Sequence, residues 1–216
     1  MKKISLMLVA VVLMFGAAKA FSQTPLEAVI SAMAEANAGV NNLEASYEQV
    51  ITFDVTGEKQ VIEGNLKYLK PSYIYIVQHT PQEQQIYIDG KNIIIYTPAN
   101  KQAVLDSWPS TFNVSFAPTA LIDLGTNYKQ IAKENNIKYL RSNEDFYIIE
   151  ISPKKDRGWT MEGYISKQDL QVKKAVVLSH GVTAVINIRE YKTNQDFNID
   201  MFKFKAPQGV DIIKLN

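Results

Sequence analysis

Cysteine is absent from this chain of 216 residues. Its absence excludes a disulfide framework, and it leaves no thiol to which a lipid could be attached covalently. A chain of this length is nevertheless long enough to bury a substantial core. We therefore expect a fold that is held together by side-chain packing alone.

Strong charge of either sign is also lacking, because 23 Lys and Arg residues are balanced by 22 Asp and Glu residues. The chain has no basic run and no arginines interleaved with aromatic residues, so a nucleic-acid partner is not expected. Beyond the N-terminal region, no apolar run approaches the roughly 20 residues that a membrane-spanning helix needs. These absences favour a soluble globular protein, and the N-terminus indicates its compartment.

The first 20 residues have the organisation of a secretory signal peptide. Two lysines precede an apolar run over residues 4–15, and Ala18-Lys19-Ala20 fits a small-x-small cleavage site. The alternative is a membrane anchor, which the short apolar run disfavours. Cleavage before Phe21 would remove three lysines and leave residues 21–216 as one exported domain, with a net charge of 20 − 22 = −2.

Catalytic and metal-binding motifs are lacking as well. The only histidines, His79 and His180, lie in or beside predicted turns without a second ligand at metal spacing, so we interpret them as solvated. The zinc motif His-Glu-x-x-His, the Gly-x-Ser-x-Gly elbow and a phosphate-binding loop are all absent. The neighbouring carboxylates of Glu144 and Asp145 fall in a predicted turn. A serine–histidine–aspartate site assembled from distant segments stays open, but no pattern favours it. We therefore expect neither an enzyme nor a bound metal or cofactor.

The chain begins its regular structure with one amphipathic helix. Thr24 is typical of an N-cap, Pro25 of the first helical position, and Glu27 completes a capping box. A largely apolar stripe follows at helical spacing up to Gly39, where the helix is expected to end: Leu26, Ile30, Met33, Asn37 and Val40. Asn37 interrupts the stripe, either as a polar residue at the helix end or as a contact reserved for a moving partner.

From Leu43 the apolar period changes to two, which indicates strands. Five residues on one side alternate with polar neighbours on the other: Ala45, Tyr47, Gln49, Ile51 and Phe53. After a hairpin turn at residues 55–58, further strands are expected over residues 61–70, 72–78, 84–88, 92–97 and 102–105. The pair Asp89-Gly90 predicts a two-residue type I′ turn with positive φ at both positions.

The rest of the chain follows the same plan after an irregular apolar segment. A short helix is expected to begin at Pro118 and to end before Gly125. Five more strands are then expected over residues 137–141, 146–151, 159–165, 172–178 and 183–191. Short strands at regular spacing with few helices predict an α+β domain built on one curled antiparallel sheet.

The strands between Gly64 and Pro98 carry apolar residues on both faces. Tyrosine is a good strand former, so any single tyrosine is explained by ordinary sheet surface. Together with the isoleucines, however, the tyrosines indicate a sheet with two dry faces or an apolar trough with polar tips: Tyr47, Tyr68, Tyr73, Tyr75, Tyr87 and Tyr96.

Several motifs in these strands carry a family resemblance. The first motif is Gly64-x-Leu66-x-x-x-Lys70-Pro71. It is followed by Asp89-Gly90-Lys91, by Ile95-Tyr96-x-Pro98 and by Gln102. Ala45–Gln49 near the front and Phe202–Val210 near the end complete a series that resembles the LolA family across nearly the whole exported domain. The resemblance implies an incomplete, half-open antiparallel β-barrel whose open side is covered by a lid of short helices.

The resemblance also implies a function and its partners. Members of that family are periplasmic, non-enzymatic carriers that shield the acyl chains of lipoproteins. They receive an acylated lipoprotein from an ATP-driven transporter of the inner membrane and pass it to a receptor at the outer membrane. We expect the same of this chain, acting in the periplasm as a monomer without a cofactor.

Individual roles follow from the resemblance as expectations. The basic residue before the proline, usually Arg in the family, holds the lid shut; here it is Lys70, facing a first-helix position near Asn37. Lysine lacks the bidentate fork of arginine, so a weaker latch is expected. Ile74 stands where the family has an aromatic residue, which reduces the apolar area at the cavity mouth.

The acyl-chain cavity is expected to draw on three groups of residues. The strand group is Leu66, Tyr68, Ile74, Ile76, Ile86 and Ile95. The group from the middle of the chain is Trp108, Phe112, Phe116 and Leu121. The helical group is Leu26, Ile30 and Met33, for which plain core packing is an equally good explanation.

Three alternatives are weighed against the carrier. A sensor or a carrier of another lipid could use the same half-barrel, although a sensor is expected to have a membrane segment or a second domain. A receptor of the outer-membrane type is expected to have a lipid-modified cysteine. A hydrolase is expected to place a polar nucleophile at the bottom of the cavity, where we expect isoleucine and phenylalanine.

Overall fold

The computed structural model describes residues 24–108, 128–155 and 158–215. The expected leader and the expected helix after Pro118 lie outside the described residues. So do three of the expected lid or cavity residues, Phe112, Phe116 and Leu121. No helix in the described part of the chain is both long enough and apolar enough to cross a bilayer.

The predicted N-terminal helix is confirmed as α1 (Pro25–Ala36). The Thr24 hydroxyl accepts a hydrogen bond from the Glu27 amide, and the Glu27 carboxylate accepts one from the Thr24 amide, so the capping box is complete. The helix ends before Asn37, whose side-chain amide donates to the Met33 carbonyl at 2.8 Å. The helix therefore ends two residues before Gly39, where the sequence predicted its end, and the Asn37 side chain caps it.

In the described part of the chain, twelve strands form a single sheet. The first meander contains β1 (Asn42–Phe53), β2 (Lys59–Leu69), β3 (Tyr73–Gln78), β4 (Gln84–Ile88), β5 (Asn92–Thr97) and β6 (Gln102–Ser107). A short 3₁₀ turn, Pro98–Asn100, links the last two of these strands. The second meander follows α2 (Tyr128–Glu134) and contains β7 (Asn135–Ser142), β8 (Phe146–Pro153), β9 (Trp159–Ser166), β10 (Val172–Ser179) and β11 (Val182–Thr193).

The two meanders are joined where β1 pairs with β11. The strand order is β12-β6-β5-β4-β3-β2-β1-β11-β10-β9-β8-β7, and all neighbours are antiparallel except β12 (Asp211–Lys214) beside β6. Within the described residues, β12 and β7 are therefore the open edges of the sheet. The predicted antiparallel sheet is confirmed, whereas β12 and the 3₁₀ turn Ile199–Phe202 have no counterpart in the sequence-based prediction.

The turn between β4 and β5 corrects a prediction. Its hydrogen-bonded ends are Asp89 and Asn92, so its central residues are Gly90 and Lys91, one position later than expected. Only Gly90 has a positive φ, of 86°, which matches a turn with glycine at the first central position. A Cβ at Gly90 would lie 2.3 Å from the Ser72 hydroxyl, so glycine is also required by close packing.

One face of the sheet carries α1, and we call it the inner face; the other is the outer face. In the first meander, the outer face is covered by the C-terminal segment, residues 197–204. Tyr87 and Tyr96 lie against the ring of Phe204, with centroids 5.4 and 5.5 Å apart, and Phe202 is 2% exposed beside Tyr73. The sequence indicated apolar residues on both faces of these strands. The outer face is shielded from water because residues 197–204 pack over it.

The outer face of the second meander carries ion pairs. Lys138 and Glu150 form an ion pair at 3.2 Å on β7 and β8, and Arg141 and Glu162 form one at 3.3 Å between β7 and β9. These side chains are largely solvated, so each pair contributes little stability. In this half of the sheet the inner face is apolar throughout, whereas the outer face mixes ion pairs with apolar residues such as Ile148 and Val176.

Candidate functional site

The strand residues expected in the cavity lie together on the inner face of the first meander. Leu66, Ile76, Ile86 and Ile95 are successive cross-strand partners on β2 to β5, which places them in one row. Directly opposed residues on antiparallel strands share a face, so this row is a continuous apolar surface. Tyr68 and Ile74 are likewise paired and begin the next row, which continues through Ile88 and Ile93 and ends at Asp106 of β6.

The helix contributes to the same surface. Met33 is 2% exposed and Val29, which was not among the predicted residues, is 5% exposed. Leu26, Ile30 and Trp108 are partly buried and pack against the same apolar cluster. The helical residues therefore cover the inner face, and this arrangement fits both core packing and a movable cover.

The second meander also supplies a large part of this surface, which was not predicted from the sequence. Its buried inner residues belong to the same contiguous cluster: Ile149, Ile151, Met161, Ile165, Val172, Ala175, Val177, Ala184 and Ile186. Their period-two alternation was visible in the sequence. Only the pairing of β1 with β11, where Gln49 faces Ile186, shows that both meanders point apolar residues to the same side.

The centre of the inner face holds Tyr47, Gln49 and Gly64. Tyr47 and Gly64 are cross-strand partners, and a Cβ at Gly64 would lie 2.8 Å from the Tyr47 hydroxyl and 2.7 Å from the Val77 carbonyl oxygen. The tyrosine ring thus lies over the glycine. Gln49 is fully buried beside them. The family motif included Gly64, but the sequence did not reveal that it accommodates an aromatic ring.

Among the residues that the structure describes, the fully buried part of this surface contains no charged side chain. The buried polar residues in the described part of the chain are Asn37, Asn42, Gln49 and Ser166, and none of them is ionisable. Burial raises the pKa of Tyr47 far above its ordinary value. Burial, and then the neighbouring Asp169 carboxylate, raise the pKa of Tyr191 to about 12. Both tyrosines are neutral at physiological pH, so they add no charge to the inner face; at its edge, Asp106 of β6 pairs with Ile93 and is partly buried on the same face.

A network of amides fixes the junction between α1 and the sheet. The Asn194 side chain accepts from the Asn41 amide at 2.9 Å and donates to the Gly39 carbonyl at 3.0 Å. The Asn42 side chain exchanges two hydrogen bonds of 2.8 Å with the Gln195 backbone. The end of β11 therefore anchors the connection through which α1 would move.

Lys70 joins this junction through its backbone, because its amide donates to the Asn41 carbonyl at 3.0 Å. The side-chain amide of Asn37 is bonded to Met33 within its own helix. Among the described residues, no hydrogen bond links the Lys70 ammonium to Asn37. The latch role of these two residues stays a prediction.

The described segments contain no cluster of metal-ligating side chains. They contain no group of three or more His, Cys, Asp or Glu side chains that could hold a metal ion. His79 and His180 are both exposed, and their rings lie against Asn65 and Ser179. The arrangement is suited to holding apolar groups away from water.

Comparisons with known proteins agree with this geometry. The profile of the family described as "Outer membrane lipoprotein carrier protein LolA" matches residues 38–205. Proteins named outer-membrane lipoprotein carrier protein from Pseudomonas putida (strain W619) and Pasteurella multocida (strain Pm70) are each 26% identical, over 80% of both chains.

Solved structures share the fold at lower identity. An uncharacterized conserved protein from Thermus thermophilus is 12% identical with a TM-score of 0.56, over 88% of this chain and 98% of that one. A LolA superfamily protein from Nitrosomonas europaea is 10% identical with a TM-score of 0.50, over 82% and 96% of the two chains. Since the family profile spans well over half of the sequence, the chain belongs to the LolA family.

Proposed function

We propose that this protein carries acylated lipoproteins through the periplasm, with the acyl chains held against the inner face. The observation that carries the proposal is the single uncharged apolar cluster that runs through both meanders in a member of the LolA family. In this proposal the leader is cleaved after residue 20, and residues 21–216 act as one domain. The protein performs no covalent chemistry and needs no cofactor.

The physical requirement for such a carrier is large. Each CH₂ group kept from water contributes about 0.8 kcal/mol, so one 16-carbon chain represents about 12 kcal/mol. A lipoprotein with several chains therefore cannot cross an aqueous compartment unshielded. The inner face supplies the apolar partner, and the charged side chains on the outer face of the second meander favour contact with water.

An empty carrier needs a cover, because exposed apolar surface costs about 25 cal/mol per Å². We propose that the sheet is a half-open barrel and that α1 belongs to a lid of short helices. Lys70 and Asn37 form the latch that holds the lid shut. In the same proposal, the loaded protein comes from an ATP-driven transporter of the inner membrane and is delivered to a receptor at the outer membrane.

The experiment uses the purified exported protein and spheroplasts. The expected result is an acylated lipoprotein released in a soluble one-to-one complex. Two adjacent isoleucines on β5 offer a matched pair, because Ile95 faces inward and Ile94 faces outward, and both are partly buried. Ile95→Asp places a charge on the acyl-binding face and should abolish capture, whereas Ile94→Asp should retain it.

Two outcomes would contradict the proposal. If lipoproteins stay on the membrane while another lipid copurifies with the protein, the carrier of another lipid is the better assignment. If both aspartate variants fold, as judged by their thermal transitions, and capture lipoprotein equally well, the inner face is not the binding surface.

A further inference from the structure

One end of the inner face is lined by neutral hydrogen-bonding side chains. Gln78, Gln84, Thr97 and Gln102 come from β3, β4, β5 and β6 respectively. Gln78 pairs with Gln84, Thr97 pairs with Gln102, and the Gln84 side-chain amide donates to the Thr97 hydroxyl at 3.4 Å. We call these four residues the amide row.

The amide row continues the apolar rows without a break. Gln78 and Gln84 each stand two residues from a member of the isoleucine row, Ile76 and Ile86, and therefore point to the same face. At about 3.4 Å per residue, the two rows are about 7 Å apart. The inner face thus changes from apolar to hydrogen-bonding over the length of a few bonds of an acyl chain.

The side chains of the amide row are accessible and can form further hydrogen bonds with a ligand. All four side chains are only partly buried. A carboxamide has two donor hydrogens and a carbonyl acceptor. The Gln78 amide donates to the Gln82 carbonyl at 3.4 Å, and the bond from Gln84 to Thr97 is equally long, whereas well-formed hydrogen bonds measure about 2.7–3.2 Å. A ligand with stronger acceptors would replace these contacts at little cost.

The charge around the amide row selects among possible ligands. The row contains no cationic side chain, and at its far end Gln102 pairs with Asp211 of β12. A carboxylate at that position repels phosphate and other anionic groups. The fitting partner is an uncharged group with carbonyl or hydroxyl oxygens.

We propose that the amide row binds the uncharged ester or amide linkage that joins an acyl chain to the rest of the lipid or lipoprotein. The acyl chain itself lies over the isoleucine rows. This inference rests on the proposed function and adds to it the orientation of the lipid. The linkage lies at the end of the inner face where the β3–β4 and β5–β6 connections are. The terminal methyl group points towards the row that contains Ile74 and Ile88.

The test compares two probes that differ in one carbonyl group, 1-monopalmitoylglycerol and its ether analogue 1-hexadecylglycerol. Affinities are measured by displacement of a fluorescent fatty probe from the exported protein. The wild type should bind the ester about fivefold to tenfold more tightly. The variant Gln78→Leu/Gln84→Leu should bind both probes equally, without losing affinity for the ether.

A control is available on β4, because Gln85 is the neighbour of Gln84 and faces outward, where it accepts a hydrogen bond from the Tyr87 hydroxyl at 2.9 Å. Gln85→Leu should keep the preference for the ester. If the double variant does not fold, the single substitution Gln78→Leu gives the same comparison. It should reduce the preference for the ester by a smaller factor.

The ways in which the test can fail are distinguishable. If the wild type binds both probes with equal affinity, or if Gln78→Leu/Gln84→Leu keeps the ester preference, the assignment of the amide row is wrong and the carrier proposal is unaffected. If neither probe binds to the wild type at all, the carrier proposal fails together with this one.

Discussion

Replacing Gly64 with alanine tests the packing at the centre of the inner face. The added Cβ would lie 2.7 Å from the Val77 carbonyl oxygen, 2.8 Å from the Tyr47 hydroxyl and 3.0 Å from a Tyr47 ring carbon. Normal van der Waals contact for such atoms begins about 0.5 Å or more further out. The carbonyl belongs to the β3 backbone, which is paired on both sides, so it cannot yield without disturbing the sheet.

The expected magnitude comes from two opposing effects. Overpacking of this kind costs about 1–3 kcal/mol. Alanine recovers about 0.5–1 kcal/mol because it restricts the unfolded chain more than glycine does. Since one of the clashing atoms is backbone, we expect a net loss of about 2 kcal/mol in the free energy of unfolding. For a domain of this size, that loss lowers the melting temperature by about 4–8 °C.

Thermal and urea unfolding of the exported protein provide the assay, and Gly39→Ala is the matched control. A Cβ at Gly39 would meet no atom within 4 Å, so this substitution should leave stability unchanged or raise it by up to about 1 kcal/mol. Adding Tyr47→Phe to Gly64→Ala should restore only part of the loss, because the Val77 carbonyl remains. A Gly64→Ala variant that melts at or above the temperature of Gly39→Ala would refute this account of the site.

Three further predictions concern the outer face, the buried tyrosine and the latch. Phe202→Ala should lower the free energy of unfolding by about 3–5 kcal/mol, because the Phe202 side chain is 2% exposed. Phe53→Ala should cost far less, because Phe53 is 39% exposed. Equal losses in urea unfolding would contradict the covering role of the C-terminal segment. The stability of the wild type should fall above pH 10, because the unfolded chain ionises Tyr47 near pH 10 while burial keeps its native pKa raised. Between pH 9 and 11, the unfolding free energy of Tyr47→Phe should decrease less steeply with pH than that of the wild type, by up to about 1.4 kcal/mol per pH unit, as measured by urea unfolding. If both proteins show the same dependence on pH, Tyr47 is in contact with water. Lys70→Leu should capture lipoprotein from spheroplasts as the wild type does but deliver it poorly to outer-membrane receptor, and unimpaired delivery would remove Lys70 from the latch.

Much of the sheet could be predicted because its strands alternate in hydrophobicity. The alternation from Ala45 to Ile51 and the short isoleucine-rich strands to Thr97 define both the elements and their faces. The row from Leu66 to Ile95 was therefore predictable as a set. The capping box at Thr24 was equally clear, because its signal lies within four neighbouring residues.

What could not be predicted depends on contacts between distant parts of the chain. No local pattern indicates that β11 pairs with β1, and this pairing is what brings the second meander to the same apolar surface. Phe202 and Phe204 alternate with lysines as a strand would, yet they pack across strands instead of pairing with them. At Asp89 the side chain accepts from the Lys91 and Asn92 amides, a local competition that moves the turn by one residue.

The C-terminal segment has a consequence for how the protein is made. The first meander is complete in sequence by Ser107, but Phe202 and Phe204 are synthesised much later, after the whole second meander. Until they arrive, Tyr73, Tyr87 and the strands beneath them have no cover, and β1 also waits for β11. Such high contact order makes folding slow and leaves an aromatic sheet surface exposed to proteases and to aggregation in the meantime. The chain therefore acquires its native state only when residues 197–204 have docked on the first meander.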